Sequence, residues 1–355
     1  MMDERILAAL RAGCVIPAHP LALTAEKKLD ERHQRALTRY YLETGAGGLA
    51  VGVHTTQFAI HDPKVGLYEP VLELAAEAAK GAVETNEKAT PIMIAGLVGP
   101  TPQAVREAEL AKEMGYHLGL LSLTALKGKS TDELLAHTRQ VADVIDVMGF
   151  YLQPALSEMV LPREFWQRFV EIPNVRAIKI APFNRYYSLD VLEAVACSGR
   201  REEIALYTGN DDNILVDLLT QHTFCVDGRQ VPIRIAGGLL GQWACWTRRA
   251  VEHLETVKSL WAAEAPVPQE LLALAGQLTL ANRAIFDPAH DFAGCLSGIL
   301  YVLKRQGLIE HVATLDPHDR LSPGQTEEID HVIRDYPHLT DDEFVKANLD
   351  RWLSP

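Results

Sequence analysis

Lys179 stands inside the apolar run VRAIKIAP, and Tyr151 closes the run GFYLQP twenty-eight residues earlier. An ammonium placed in an apolar run loses hydration when buried, and this lowers its pKa. A lysine treated in this way is a free amine near neutral pH and attacks a carbonyl to form a Schiff base. The same residue at a strand end can instead snorkel, with its stem on apolar surface and its charge in water. A phenol on the neighbouring strand would serve the first reading as a proton donor and acceptor.

The elements that must position these two residues alternate along the chain. GCVIPAHP, GGLAVGV, TPIMIAGLVG, LGLLSLTA, the tyrosine run, the lysine run, EIALYTG and PIRIAGG read as eight strands. Helical patterns lie between them. One has apolar spacing at Ala36, Leu37, Tyr40 and Tyr41 and is closed by Gly45, a second spans Pro70 to Lys88, and a third opens with a capping box of Ser130 and Glu133. The strands are apolar throughout rather than alternating, as in a parallel sheet covered on its outer face. This β–α alternation predicts an α/β protein, a (β/α)8 TIM barrel over residues 1–261, with a doubly wound sheet as the alternative. TFCVDGRQV has the look of a hairpin. Residues 262–355 show helical patterns only, which predicts a C-terminal helical extension packed on the barrel or on a partner subunit.

Barrels do their chemistry at the carboxyl ends of strands. The strand order places His19, His54, Thr55, Thr56, Ser122, Thr124, Tyr151, Lys179, Gly209, Asn210, Asp211 and the Gly237–Gly238 pair there. Tyr151 and Lys179 are thus expected as neighbours facing one pocket. Thr55 and Thr56 also suit a helix start, and Asn210 and Asp211 either contact substrate or open the helix that follows.

Lys and Arg number 34 against 47 Asp and Glu, a formal charge of −13, which argues against nucleic acid or anionic membrane as the main partner. The five cysteines are scattered without a CxxC pair, as expected for reduced thiols. The N-terminal run is too short for a signal peptide, and no stretch approaches a membrane span. A cytoplasmic protein is expected.

The chain resembles the dihydrodipicolinate synthase / N-acetylneuraminate lyase family of pyruvate-type class I aldolases. The resemblance rests most on YLQP followed by PNVRAIKIA, which is similar to the family's Y-x-x-P element and its I-K strand at the same separation. IPAHPLALTAEKKLDERHQ and IMIAGLVGPTPQAVREAE are similar to its opening strand and its third β–α unit. The resemblance implies that Lys179 forms an imine with a 2-oxo acid and that Tyr151 shuttles protons. It implies further that Thr55 and Thr56 hold the carboxylate, that no cofactor or metal is needed, and that the chain forms a homo-oligomer, dimer or tetramer.

The sequence also departs from the family. His54 replaces the first glycine of the family's Gly-Thr-Thr-Gly-Glu loop, and Gln57-Phe58 replaces its last two residues. Thr124-Ala125-Leu126 lacks the second tyrosine of the synthase branch, and Leu156 stands near that branch's acceptor-gripping arginine. Dihydrodipicolinate synthesis is therefore not expected, and the acceptor side should be more apolar. Arg185 is a candidate to replace the lost carboxylate grip or is a surface residue, and His54 is a candidate acid, base or substrate contact. Gly209 and Asn210 complete the expected substrate-binding set. Two other readings remain. One is a metal-dependent barrel aldolase with ligands from His19, His54, His117 and Asp211. The other is a barrel that binds ligand without turnover.

Overall fold

In the computed structural model, which describes residues 2–86 and 90–354, eight short strands run parallel around an apolar interior. They are β1 (Val15–Pro17), β2 (Gly48–Val51), β3 (Ile92–Leu97), β4 (Leu118–Leu121), β5 (Asp146–Tyr151), β6 (Val175–Ile180), β7 (Ala205–Thr208) and β10 (Gly237–Leu240). Each of β2 to β6 is hydrogen-bonded to its successor, and β10 joins β7 to β1. A parallel bridge from Ala18 to Ala50, with the His19 N–H donating to the Ala50 carbonyl at 2.8 Å, brings β1 against β2 and closes the ring. The chain is a (β/α)8 barrel.

Two faces of each strand explain the apolar runs. Side chains such as Ile94, Leu120, Met148, Phe150, Ala177 and Leu239 fill the interior. Their alternates, among them Leu97, Val147, Tyr151, Ile178 and Leu206, pack outward against the helices. Both faces are buried, so no polar alternation appears.

The last strand differs from expectation. Gly237–Leu240 forms it, and the PIRI segment instead belongs to β9 (Arg229–Arg234), which pairs antiparallel with β8 (Gln221–Val226) as a separate hairpin. The turn is Asp227-Gly228, both in left-handed conformation at φ 50° and 77°, the pairing that matches the twist of a two-residue hairpin. Gly237 and Gly238 therefore begin the final strand, and Gly241 stands at its carboxyl end.

The helix starts and stops follow local chemistry. Ser130 Oγ accepts from the Glu133 N–H, and the Glu133 carboxylate accepts from the Ser130 N–H, the reciprocal capping box. Gly45, at φ 94°, ends the helix Glu31–Thr44. The helix expected from Pro70 to Lys88 runs from Tyr68 to Asn86, and residues 87 and 88 lie outside the described residues.

Beyond the barrel come helices Gln269–Phe286, Cys295–Arg305, Gln325–Asp335 and Asp342–Trp352. The last is tied to the barrel's first helix: Trp352 is buried 5.5 Å from the Tyr40 ring, and the Tyr40 hydroxyl donates to Asp341 at 2.7 Å. The turn between the first two of these helices reaches the mouth of the barrel at the carboxyl ends of the strands. Among the described residues no helix is long and apolar enough to cross a membrane.

Candidate active site

A cavity of about 290 Å³ opens at the carboxyl ends of the strands. Lys179, near the end of β6, projects into it and is 8% exposed. Its Nζ lies 4.5 Å from the centre of the Phe150 ring, directly across the β5–β6 pairing. Burial holds the amine below the ordinary lysine range, down to about 8, and the nearby Asp211 carboxyl opposes that shift.

Gly209 makes room for the amine. A Cβ at this position would sit 2.6 Å from Lys179 Cε and 2.9 Å from Ala181 Cβ, so the closeness of β7's end to the lysine stem requires glycine. Two residues on, Asp211 lines the same cavity. Its Oδ1 accepts from the Gln242 N–H at 2.9 Å. Burial raises this carboxyl to about 7, against the lowering effects of the Gln242 N–H and Lys179. Each of the pair favours the charged form of the other, while burial favours both neutral forms.

His54 and Thr55 form the opposite wall. They open a short 3-10 turn, His54–Thr56, at the end of β2. Burial pushes the His54 imidazole down to about 4, with Lys179 adding to the effect, so the ring is neutral at physiological pH. The Thr55 hydroxyl donates to the His19 carbonyl at 3.3 Å, a long bond that a ligand can displace. Thr56 is different. Its hydroxyl donates to the His19 carbonyl at 2.6 Å and accepts from the Gly52 and Val53 N–H groups at 3.0 and 3.2 Å, which fixes the turn.

Four expected site residues lie outside the cavity: Thr56, which is spent on holding the turn, and Tyr151, Arg185 and Asn210. Tyr151 points away from the cavity. It is fully buried behind β5, its ring 5.2 Å from that of Trp166, and its hydroxyl donates to the Leu161 carbonyl at 3.3 Å and accepts from the Leu161 N–H at 3.2 Å. The cause is a register shift. Val147 pairs with Val175, but Met148 pairs with Ala177, so Arg176 is an extra residue in β6. Without it the pairing would bring Tyr151 opposite Lys179; with it the partner is Phe150, and tyrosine takes the outer face. The extra residue is itself held, Arg176 Nε donating to Asp146 Oδ1 at 2.7 Å.

Arg185 does not reach the cavity either. Its guanidinium donates to Asp217 and lies 3.7 Å from Asp212. Asn210 is buried beside that cluster, its amide donating to Asp217 at 2.8 Å and its N–H to the Thr208 hydroxyl at 3.1 Å. Asp217 thus gathers both residues, together with Thr208 and Asn213.

The four residues considered as metal ligands do not converge. His19 is buried in bonds to Pro20, Thr38 and Gln34. His117 precedes β4, at the amino end of the barrel, and accepts from the Met93 N–H at 3.0 Å. Only His54 and Asp211 line the cavity. The residues that sequence reasoning missed are Phe150, Phe183 and the tail residues around Phe292. For Asp211, which the sequence leaves open between substrate contact and helix start, the signal is its place after the strand next to the lysine strand.

The comparisons agree with this architecture. The model of the Dihydrodipicolinate synthetase family matches residues 12–221, and the chain belongs to that family. It is 29% identical over 196 residues to N-acetylneuraminate lyase of Salmonella typhi, an alignment covering 55% of this chain and 61% of the relative. The chain thus spans about three fifths of the length of the curated relatives it matches. Its fold is similar to dihydrodipicolinate synthase from Bacteroides thetaiotaomicron, with TM-score 0.73 at 16% identity, over 91% of this chain and 98% of that one. It is also similar to N-acetylneuraminate lyase from Fusobacterium nucleatum, with TM-score 0.69 at 16% identity, over 92% and 99%.

Proposed function

We propose that the protein is a class I lyase or aldolase that binds a 2-oxo acid of the pyruvate type as an imine on Lys179. The observation that carries this reading is the buried Lys179 amine, held below its ordinary range and sharing a cavity with the Asp211 carboxyl. The neutral amine adds to the C2 carbonyl, and the carbinolamine loses water to give the imine. Asp211, as the acid, supplies the proton that carries off the water; as the carboxylate, it removes the C3 proton to leave an enamine. Thr55 and the opening of its turn receive the carboxylate. Neutral His54 donates or accepts a single hydrogen bond at the substrate oxygen. Aldol addition, retro-aldol cleavage and dehydration of a sugar-acid-like substrate all pass through this imine.

In this scheme Asp211 takes the place that the resemblance gave to Tyr151. The names of the relatives support the reaction class, and the departures in the loop after β2 and near Leu156 set this chain apart from a dihydrodipicolinate synthase. The reading includes a homo-oligomer, dimer or tetramer, in a reducing cytoplasm; all five cysteines are free. Enamine formation is tested by exchange of the pyruvate C3 protons in D2O, followed by proton NMR. Exchange with the native enzyme and none with Lys179→Met is the expected result. Exchange surviving in Lys179→Met would overturn the proposal.

A further inference from the structure

The cavity beyond the amine is apolar, and most of its charge is negative. Phe150, Phe183, Phe286 and Phe292 reach it from four separate segments, and the Phe183 and Phe292 rings lie 5.9 Å apart at 59°. Lys179 is the single Lys or Arg among the lining residues, against Asp211, Asp291 and Asp319. Arg185, the nearest substitute for a carboxylate grip, is committed to Asp217 and Asp212.

Phe292 is held in the wall by a costly backbone. Asp287, Asp291 and Phe292 have φ of 54°, 52° and 66°, a conformation that non-glycine residues adopt only when their surroundings impose it. The surroundings here are specific. The Asp287 carboxylate accepts from the Gly294 N–H at 3.2 Å and from the Ser322 hydroxyl at 2.5 Å. The Gln325 amide donates to the Ile285 and Gly294 carbonyls at 3.0 and 3.1 Å. Both ends of the turn are therefore tied down, and its middle carries a phenyl ring into the cavity.

We infer that the second substrate is an uncharged apolar aldehyde, best an aromatic one, seated in the cavity against the packed Phe183–Phe292 pair, with the tail turn 287–294 as the element that selects it. This rests on the imine reading above. With Lys179 taken up in the imine, a second carboxylate or a phosphate would lose its hydration with no lysine or arginine in the lining to receive it, only the His54 and His318 imidazoles, and would face the Asp291 and Asp319 carboxylates, whereas an aryl group gains by burial against phenyl rings. In the step itself the enamine carbon of the bound 2-oxo acid bonds to the aldehyde carbon. The proton lost from C3 returns to the new alkoxide through Asp211, and water releases a 4-hydroxy-2-oxo acid. Cleavage is the reverse, and no redox partner is needed.

The test uses the full chain with pyruvate and five acceptors: benzaldehyde, 3-phenylpropanal, succinic semialdehyde, glyceraldehyde 3-phosphate and, as a small uncharged control, acetaldehyde. Product is read by liquid chromatography and mass spectrometry. The aromatic pair should exceed the anionic pair in kcat/KM by about 100-fold or more. Phe292→Ala, shown to be folded by circular dichroism, should raise KM for benzaldehyde by roughly 10-fold and leave KM for acetaldehyde much less altered. Equal or better use of the anionic pair overturns the proposal. So does absence of turnover with both aromatic aldehydes while borohydride still traps pyruvate on Lys179. Loss of trapping itself refutes the imine reading, and the acceptor proposal falls with it.

Discussion

Replacing Tyr151 with phenylalanine separates the geometry found here from the role that the sequence resemblance suggested. The substitution removes one hydroxyl from a fully buried side chain whose ring packs on Trp166. That hydroxyl makes two long bonds, both to the Leu161 backbone, at 3.2 and 3.3 Å. Burial raises the phenol to about 12, which makes it a poor acid at neutral pH. Losing it leaves a buried N–H and carbonyl short of a partner, at a cost of about 1–2 kcal/mol in stability. The hydroxyl does not line the cavity, so the rate of pyruvate C3 exchange should stay within about threefold of native, whereas loss of a working acid–base group typically costs ~100-fold or more. The assay pairs urea unfolding with C3 exchange on the same preparation. A 100-fold loss of exchange with little change in unfolding midpoint would restore the tyrosine to the mechanism.

Other perturbations test other parts of the site. Gly209→Ala places a methyl 2.6 Å from Lys179 Cε, and the movable lysine stem yields first; stability should fall by about 1 kcal/mol, and kcat by roughly 100-fold because the reacting amine is displaced. In the native enzyme C3 exchange against pH should be bell-shaped, since activity needs a neutral amine with a protonated carboxyl, and the two titrate as a pair near 7 and 8. Asp211→Asn should lower the rate and abolish the alkaline limb, which reports loss of the carboxyl proton. The acid limb should move to lower pH, because Asp211 raises the proton affinity of the amine; an unchanged profile would count against the pair. Arg185→Ala leaves the buried Asp217 without its cation but with Thr208, Asn210 and Asn213 as donors. A stability loss of about 1–2 kcal/mol is expected, discounted for the half-exposed guanidinium, with KM for pyruvate unchanged in steady-state kinetics. A large rise in that KM would return Arg185 to the site.

The barrel was legible because its signals are local. Apolar strands of the right length alternate with capped helices, and the Ser130 box and Gly45 stop act within a single turn. Lys179 was legible for a related reason, since a lone charge in an apolar strand demands an explanation. Tyr151 was misread because an interval of twenty-eight residues does not reveal a one-residue bulge, and one residue of register exchanges the two faces of a strand. Arg176 was the hint, a second charge in the same strand whose partner, Asp146, opens β5. Arg185 was misread because its carboxylate comes from Asp217, thirty-two residues later and one β–α unit away. The PIRI segment was apolar enough to pass for a barrel strand, although the Asp227-Gly228 turn before it marked a hairpin. The phenyl wall was out of reach altogether, since Phe292 meets Phe183 through the docking of a tail more than a hundred residues downstream.

The proposed chemistry turns on Lys179 as the imine-forming amine. Its most direct test is borohydride reduction of the enzyme in the presence of pyruvate, with the adduct located by peptide mass spectrometry. One reduced pyruvyl adduct is expected, on the peptide containing Lys179, and none with Lys179→Met. An adduct on another lysine, or none in folded protein at saturating pyruvate, would contradict it.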